Sequence, residues 1–201
     1  MRKQIRPPEP QVLQEHAAKW NAEWSHKVRV EMKSSKHFNW RQRNKQSVRD
    51  LILSALRSMN QEHCSFCDAY PLQGQSLEPI EHFKPKIKFP EDAYSWSNLY
   101  YACEYCQNAK GNEWSPDLLR PDADDYLFNT YFDFDYTTGQ LRANLAAKPE
   151  HQIQARVTIE MYGLDLIARR TRRRENLRAW QRDPGGEIDF ESDRDFLENA
   201  V

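Results

Sequence analysis

Cys64-Ser65-Phe66-Cys67 and, after a gap of 35 residues, Cys103-Glu104-Tyr105-Cys106 hold all four cysteines of the chain. A CxxC pair closes a tight knuckle whose two sulfurs can face one ion. Two knuckles complete a tetrahedral S₄ shell that suits Zn²⁺ and leaves no coordination position open. Such a site holds structure and performs no chemistry of its own. The chemistry falls to what the site brings together, and the gap contains Glu81-His82-Phe83-Lys84-Pro85-Lys86 and Asn98. Two disulfides or four unrelated thiols are the plainer readings. Disulfides suit small secreted domains, whereas Met1-Arg2-Lys3-Gln4 leads into polar sequence without the apolar core of a signal peptide. Unrelated thiols are not expected to sort into two identical spacings.

Outward from the knuckles, the spacing of apolar residues predicts the flanks. Pro7, Pro8 and Pro10 make residues 1–9 an extended arm. A helix is expected over about 10–33, with Leu13, Ala17, Trp20 and Trp24 on one stripe. Residues 34–43 are polar and basic and read as a connector or exposed surface. A second helix is expected over about 44–60, where Val48, Leu51, Ile52, Ala55, Leu56 and Met59 keep the i, i+3, i+4, i+7 pattern. Inside the cysteine-bounded insert, a strand is expected near Leu77–Phe83 and an extended segment at Leu99–Ala102, with a helix starting near Glu104. Thr137-Thr138-Gly139-Gln140 reads as a hairpin turn between Phe134-Asp135-Tyr136 and Leu141-Arg142-Ala143. Two helices are expected to close the fold. One covers about 150–162, with Ile153, Val157 and Met161 on one side. The other covers about 164–181, with Leu166, Ile167, Arg170, Leu177 and Trp180, and stops at Asp183-Pro184-Gly185-Gly186. The expected fold class is α+β: mainly helical, around a central zinc-stapled insert. Three parts are read as one compact unit: an N-terminal arm and helices (1–62), the zinc-bound core (63–112), and a C-terminal hairpin with helices and an acidic tail (113–201).

With 201 residues, 39% hydrophobic and 29% charged, and a mean hydropathy of −0.94, the chain is polar for a globular protein. Its 12% aromatic content, six Trp included, argues against disorder and for a modest aromatic core stapled by zinc. No apolar run approaches the roughly 18 residues of a membrane span; a soluble, cytoplasmic protein is expected. Net charge is −1 and the pI about 6.6, so bulk charge announces no polyanion partner. Charge is nevertheless uneven. Arg169-Arg170-Thr171-Arg172-Arg173-Arg174 continues to Arg178 and Arg182, while the tail from Glu187 to Glu198 is acidic. The arginine run reads either as a solvated helix face or as a local patch for a polyanion.

Glu81 and His82 are the pair with chemical promise. Phosphodiester hydrolysis with one divalent ion needs a base to activate water and a cation to stabilise the leaving oxygen. His82 suits the base, because its unperturbed pKa lies near neutrality. Glu81, on the other side of an extended backbone, offers a hard oxygen to Mg²⁺ or Mn²⁺. A lone histidine is more often structural; its place inside the cysteine-bounded insert is what raises its standing.

The order CxxC, [Asp/Glu]-His-x-x-Pro, Asn-Leu, Cys-x-x-Cys-[Asn/His]-x-x-Lys resembles the HNH nuclease motif on a zinc-knuckle scaffold. Here it runs Cys64…Cys67, Glu81-His82-Phe83-Lys84-Pro85, Asn98-Leu99 and Cys103…Cys106-Gln107-Asn108-Ala109-Lys110. The wording is most similar to the HNH nuclease subunit (PtuB-like) of Septu-type and retron-linked anti-phage systems. The residues that carry this likeness are Glu81-His82-Phe83-Lys84-Pro85-Lys86, Trp96-Ser97-Asn98-Leu99-Tyr100-Tyr101-Ala102-Cys103 and Ala109-Lys110-Gly111, within residues 64–111. The overall length, Pro-rich start and helical tail also look like this group. The resemblance implies a ββα-metal site and a nuclease acting on DNA. His82 would be the general base, Asn98 would orient the imidazole or its loop, and Glu81 would be a ligand of Mg²⁺ or Mn²⁺. A second ligand would come from Gln107, where the family has Asn or His, or from the adjacent Asn108. Lys84, Lys86, Lys88 and Lys110 would lie around the site, either gripping phosphates or as ordinary solvated surface. A second protein, an SMC/ABC-like ATPase, would control the nuclease.

Tyr94, Trp96, Tyr100 and Tyr101 are candidates for stacking on bases, though Tyr100 and Tyr101 are better read as packing of the insert. Asp122, Asp124 and Asp125 read as a solvated acidic loop, with contact to the metal as the alternative. Two rival functions use the same residues: a zinc-knuckle nucleic-acid-binding module without catalysis, which the Gln107 departure favours, and an adaptor whose arginine run pairs with acidic groups of a protein partner.

Overall fold

A computed structural model of the chain describes residues 1–70, 72 and 80–182, apart from the side chain of Trp180. Among these residues, helices combine with small two-stranded antiparallel sheets in an α+β architecture. Helix α1 (Gln11–Arg29) buries Leu13, Ala17, Trp20 and Trp24, the stripe its sequence spacing demands. It stops at Arg29, short of the expected end near 33, and Met32 beyond it adopts a left-handed φ of 52°. The expected start of the second helix is displaced as well. Asn44 and Lys45 turn at positive φ (48° and 65°) between two short strands, β1 (Gln42–Arg43) and β2 (Gln46–Ser47). Helix α2 (Val48–Met59) follows and buries Val48, Ile52, Leu53, Leu56 and Met59, while Leu51, expected on that stripe, is exposed.

The centre of the fold is a short hairpin and a helix. Strand β3 (Ile80–His82) pairs with β4 (Leu99–Tyr101), setting Glu81 opposite Tyr100 and His82 opposite Leu99. Helix α3 (Glu104–Lys110) starts directly afterwards with Cys103 at its N-cap. Gly111 ends it at φ 56° and ψ −126°, a conformation that side-chain-bearing residues rarely adopt. The expected start of the first strand, Leu77 to Pro79, lies outside the described residues.

The C-terminal part contains α4 (Phe128–Tyr131), β5 (Phe132–Asp135), β6 (Gln140–Ala143), α5 (Pro149–Met161) and α6 (Ile167–Arg182). The β5–β6 turn falls where the sequence places it, and the Asp135 carboxylate accepts hydrogen bonds from the N–H groups of Thr137 and Thr138 (2.9 and 3.1 Å). A Cβ on Gly139 would lie 2.3 Å from the Arg170 carbonyl oxygen, so this close approach of α6 requires glycine. Of the side expected for helix α5, Val157 and Met161 pack partly buried against the core, whereas Ile153 is exposed. Ala155 and Thr158 are its buried residues, and the Thr158 hydroxyl accepts the Leu119 N–H at 3.0 Å. On α6 the arginine run is no simple solvated face. Arg170 pairs with Asp165 at 2.5 Å, and Arg173 is buried, donating to the carbonyls of Leu164 (2.5 Å) and Gly139 (3.2 Å). Leu166 and Ile167, expected on the apolar side, are exposed. The Asp183–Gly186 stop, the acidic tail and the Trp180 side chain lie outside the described residues. No described helix is long and apolar enough to cross a membrane.

The N-terminal arm is threaded into the core. Met1 and Gln4 are buried, the Tyr126 hydroxyl donates to the Met1 carbonyl (2.5 Å), and Arg2 pairs with the buried Asp68 at 2.7 Å. Arg6 donates to Asp122 (2.6 Å) and to the carbonyls of Trp96 and Leu99 (2.7 and 3.0 Å), and its guanidinium lies over the Tyr100 ring. The Tyr100 hydroxyl donates to the same Asp122 carboxylate at 2.5 Å. Asp122 is therefore neither a solvated loop residue nor free to reach a metal, whereas Asp124 and Asp125 are exposed. Burial alone would raise the Asp122 pKa, but Arg6 and the Tyr100 hydroxyl outweigh it and hold the carboxyl below its ordinary value. Arg120 also pairs with this carboxylate at 3.3 Å, so Asp122→Ala removes the anion shared by Arg6, Arg120 and Tyr100 and is expected to cost about 3 kcal/mol. A carboxyl with a depressed folded pKa stabilises above its unfolded pKa of about 3.9 and loses that effect as pH falls. Thermal melts of the variant and the wild type should accordingly differ most near neutrality and draw together only as pH falls below the ordinary carboxyl range.

Candidate metal centre and active site

The four cysteine sulfurs converge from two segments. All are buried, and their Sγ atoms lie within 4.8 Å of one another. The Cys64–Cys106 and Cys67–Cys103 separations are 3.8 and 3.6 Å. A tetrahedron of four sulfurs at a Zn–S distance of about 2.3 Å has edges of about 3.8 Å, so the site fits Zn²⁺ in donor chemistry and in size. Backbone geometry builds it. The Ser65 N–H donates to the Tyr101 carbonyl (2.8 Å), tying the first knuckle to β4, and the Cys106 N–H donates to the Cys103 sulfur (3.4 Å) at the start of α3. Zinc with four thiolates carries a net charge of −2, and Arg169 of α6 answers part of it, donating to the Cys106 sulfur at 3.3 Å. Burial would lower the pKa of this guanidinium, but the sulfurs of Cys67, Cys106 and Cys103 raise it. Partners of this kind typically change metal affinity about 10- to 100-fold. Arg169→Ala should therefore release zinc to a colorimetric chelator about tenfold faster than wild type at unchanged zinc stoichiometry.

The hairpin beside the cysteine cluster carries Glu81 and His82 at consecutive positions of β3, so their side chains leave opposite faces of the strand. His82 is only 6% exposed. Its Nε2 is 3.0 Å from the Ala93 carbonyl oxygen, so that nitrogen carries the proton and donates. Nδ1 then keeps a lone pair and has no hydrogen-bond partner among the described residues. Burial and, after it, the ammonium of Lys86 push the imidazole pKa well below its ordinary value, so the ring is neutral at pH 7. Asn98 orders the surrounding backbone. Its Oδ1 accepts the Lys84 N–H (2.7 Å), and its Nδ2 donates to the carbonyls of Lys84 (3.0 Å) and Asp92 (2.9 Å), next to Ala93. Asn98 thus positions the loop and, through it, the acceptor of His82, without touching the ring.

Glu81 is 2% exposed and forms a 2.5 Å ion pair with Lys110, itself 2% exposed. Burial raises the Glu81 pKa, with Lys110 and Lys86 opposing. Gln107 adjoins the same carboxylate and donates from Nε2 to the Ile80 carbonyl (3.0 Å), while Asn108 is exposed. A carboxylate and an amide oxygen are hard donors of the kind a divalent cation takes, but here Lys110 holds the carboxylate and Gln107 turns its amide nitrogen, not its oxygen, to its partners. The lysines separate into two groups. Lys110, expected at a phosphate, is buried against Glu81. Lys84, Lys86 and Lys88 stay partly or fully exposed, with Lys84 on Asp92 (3.1 Å), Lys88 on Glu113 (2.9 Å) and Lys86 over the Phe38 ring (5.2 Å). The aromatic residues considered for base stacking are core residues. Tyr94, Trp96, Tyr100 and Tyr101 are buried, and the Tyr94 and Trp96 polar atoms donate to the carbonyls of Asn39 and Pro7 (both 3.0 Å).

Two site residues escaped the sequence reading. Phe38 and Trp40, in the segment taken as a polar connector, flank the imidazole. Trp40 lies parallel to it at 5.9 Å and Phe38 edge-on at 5.3 Å. Two aromatic residues within an otherwise polar, basic stretch were the available signal.

No protein-family model matches the chain. It is similar to the Septu protein PtuB of Bacillus thuringiensis. The two are 32% identical over 60 residues, which make up 30% of this chain. The chain covers 23% of the length of that protein.

Proposed function

We propose that this chain is an HNH-type endonuclease that hydrolyses phosphodiester bonds of DNA within an anti-phage defence system. The observation that carries the reading is the His82 environment: a neutral imidazole, fixed through Nε2, with a free Nδ1 lone pair, on a hairpin that lies between two cysteine knuckles and leads into the helix carrying the second. The likeness to the PtuB protein supports the defence setting. In this reading Nδ1 of His82 takes a proton from the attacking water, and Asn98 holds the loop that keeps Nε2 pinned. Glu81, with Gln107 or Asn108, would hold Mg²⁺ or Mn²⁺, which supplies charge stabilisation at the leaving 3′-oxygen. Lys84, Lys86 and Lys88 grip phosphates, and an SMC/ABC-like ATPase acts as the controlling partner.

Incubation of the zinc-loaded protein with plasmid DNA and Mg²⁺ or Mn²⁺, with and without a chelator and the cognate ATPase, tests this. Cleavage that stops on chelation supports the enzyme; cleavage only with the ATPase makes the partner the switch. The depth at which Glu81 and His82 are buried favours a second reading, a non-catalytic zinc-knuckle binding or adaptor module. DNA binding without cleavage in any lane would establish that one instead.

A further inference from the structure

The Glu81 carboxylate already has a cation. Lys110 reaches it from the last position of α3, 2.5 Å away and sealed from solvent, and the same ammonium donates to the His82 carbonyl at 3.0 Å. A second ammonium, Lys86, also acts on this carboxylate. A carboxylate already paired with a buried ammonium is a poor place for an added dication, since the ammonium repels it at short range. Among the described residues Glu81 belongs to no group of three or more His, Cys, Asp or Glu side chains that could hold a metal. A cation bonded to the Glu81 oxygen would stand within a few ångströms of the Lys110 ammonium, and the two charges cannot share that oxygen in a dry site.

We propose that Lys110 is a built-in competitor for the divalent cation at Glu81, so that the ion binds only as the ammonium leaves. This rests on the nuclease reading and adds how the site is loaded. The displaced ammonium needs a new partner, and the phosphate of a bound nucleic acid is an anion that can take it. Ion and nucleic acid then bind cooperatively, each removing an obstacle to the other. Lys110 thereby acts on phosphate only after release from Glu81, which connects its buried position with a role at the substrate.

The test is Mn²⁺ binding to the zinc-loaded protein, followed by electron paramagnetic resonance with Mn²⁺ alone. Lys110→Met, which keeps the length of the side chain and removes the charge, should bind Mn²⁺ about tenfold or more tightly than wild type. The added Glu81→Gln change should abolish the gain. Equal affinity in wild type and Lys110→Met, still dependent on Glu81, overturns the competitor and leaves the cation site standing. Absence of Glu81-dependent binding in both overturns the cation reading itself. A measurement on the wild type guards against a misfolded variant. Acetylation of Lys110, read by mass spectrometry, should be slow without Mn²⁺ and rise several-fold as the ion saturates. Labelling that does not change on saturation overturns the proposal.

Discussion

Cys103→Ser is expected to yield a chain that cannot hold zinc and has lost its cooperative melting transition. Cys103 supplies one of the four sulfurs, caps the N-terminus of α3 and accepts the Cys106 N–H. The elements that a zinc ion in this four-sulfur site would join cannot stand alone. Strands β3 and β4 have three residues each and α3 has seven, all below the size at which hairpins or helices persist in water. Structural zinc contributes about 10–16 kcal/mol of apparent binding free energy, which is coupled to folding. Domains of this size are stable by only about 5–15 kcal/mol in total. Breaking the shell therefore removes about as much as the fold has. Metal analysis and calorimetry on the purified variant check this. A zinc-free Cys103→Ser protein that melts cooperatively within a few degrees of wild type would sink the structural role. Strong chelators should reproduce the effect on the wild type.

His82→Ala removes the proposed base and should lower cleavage about 10²- to 10⁴-fold, the usual contribution of a positioned proton acceptor. The protein should remain folded and keep its zinc, at a stability cost of about 1–3 kcal/mol for the lost buried ring. The pH dependence carries a sign. Burial, then Lys86, depress the imidazole pKa, and a bound divalent cation pushes the same way. The neutral, proton-accepting form thus persists below the ordinary value of about 6.5, and the acidic limb of kcat/KM should fall below that pH. Wild-type rates that already drop above pH 7, or a His82→Ala protein that cleaves at wild-type speed, would exclude His82 as the base.

Much of this organisation is readable in local sequence. The identical CxxC spacings point to one four-sulfur site, because a knuckle is a property of four consecutive residues. The α1 stripe is equally local, and so is the β5–β6 turn, where Asp135 and Gly139 supply the conformation and the hydrogen bonds that a reversal needs. One misplacement is a local competition too: Asn44 and Lys45 form a turn where helical periodicity alone extends α2 backward. Burial of Thr158 on α5 is a tertiary effect, set by the Leu119 N–H 39 residues away.

The chain by itself determined the metal-binding cysteines, the adjacent Glu81 and His82, and the helices and hairpin that flank them. Only the tertiary structure decided what surrounds those two side chains. Lys110 arrives 29 residues after Glu81 in the chain; Phe38 and Trp40 come from a segment more than 40 residues before His82; Arg169 crosses from α6 to Cys106. The reason is physical. Periodicity and turn chemistry act over a few residues, whereas the partner of a buried charge is whichever group the packed segments bring within reach, and burial there requires that a partner be found.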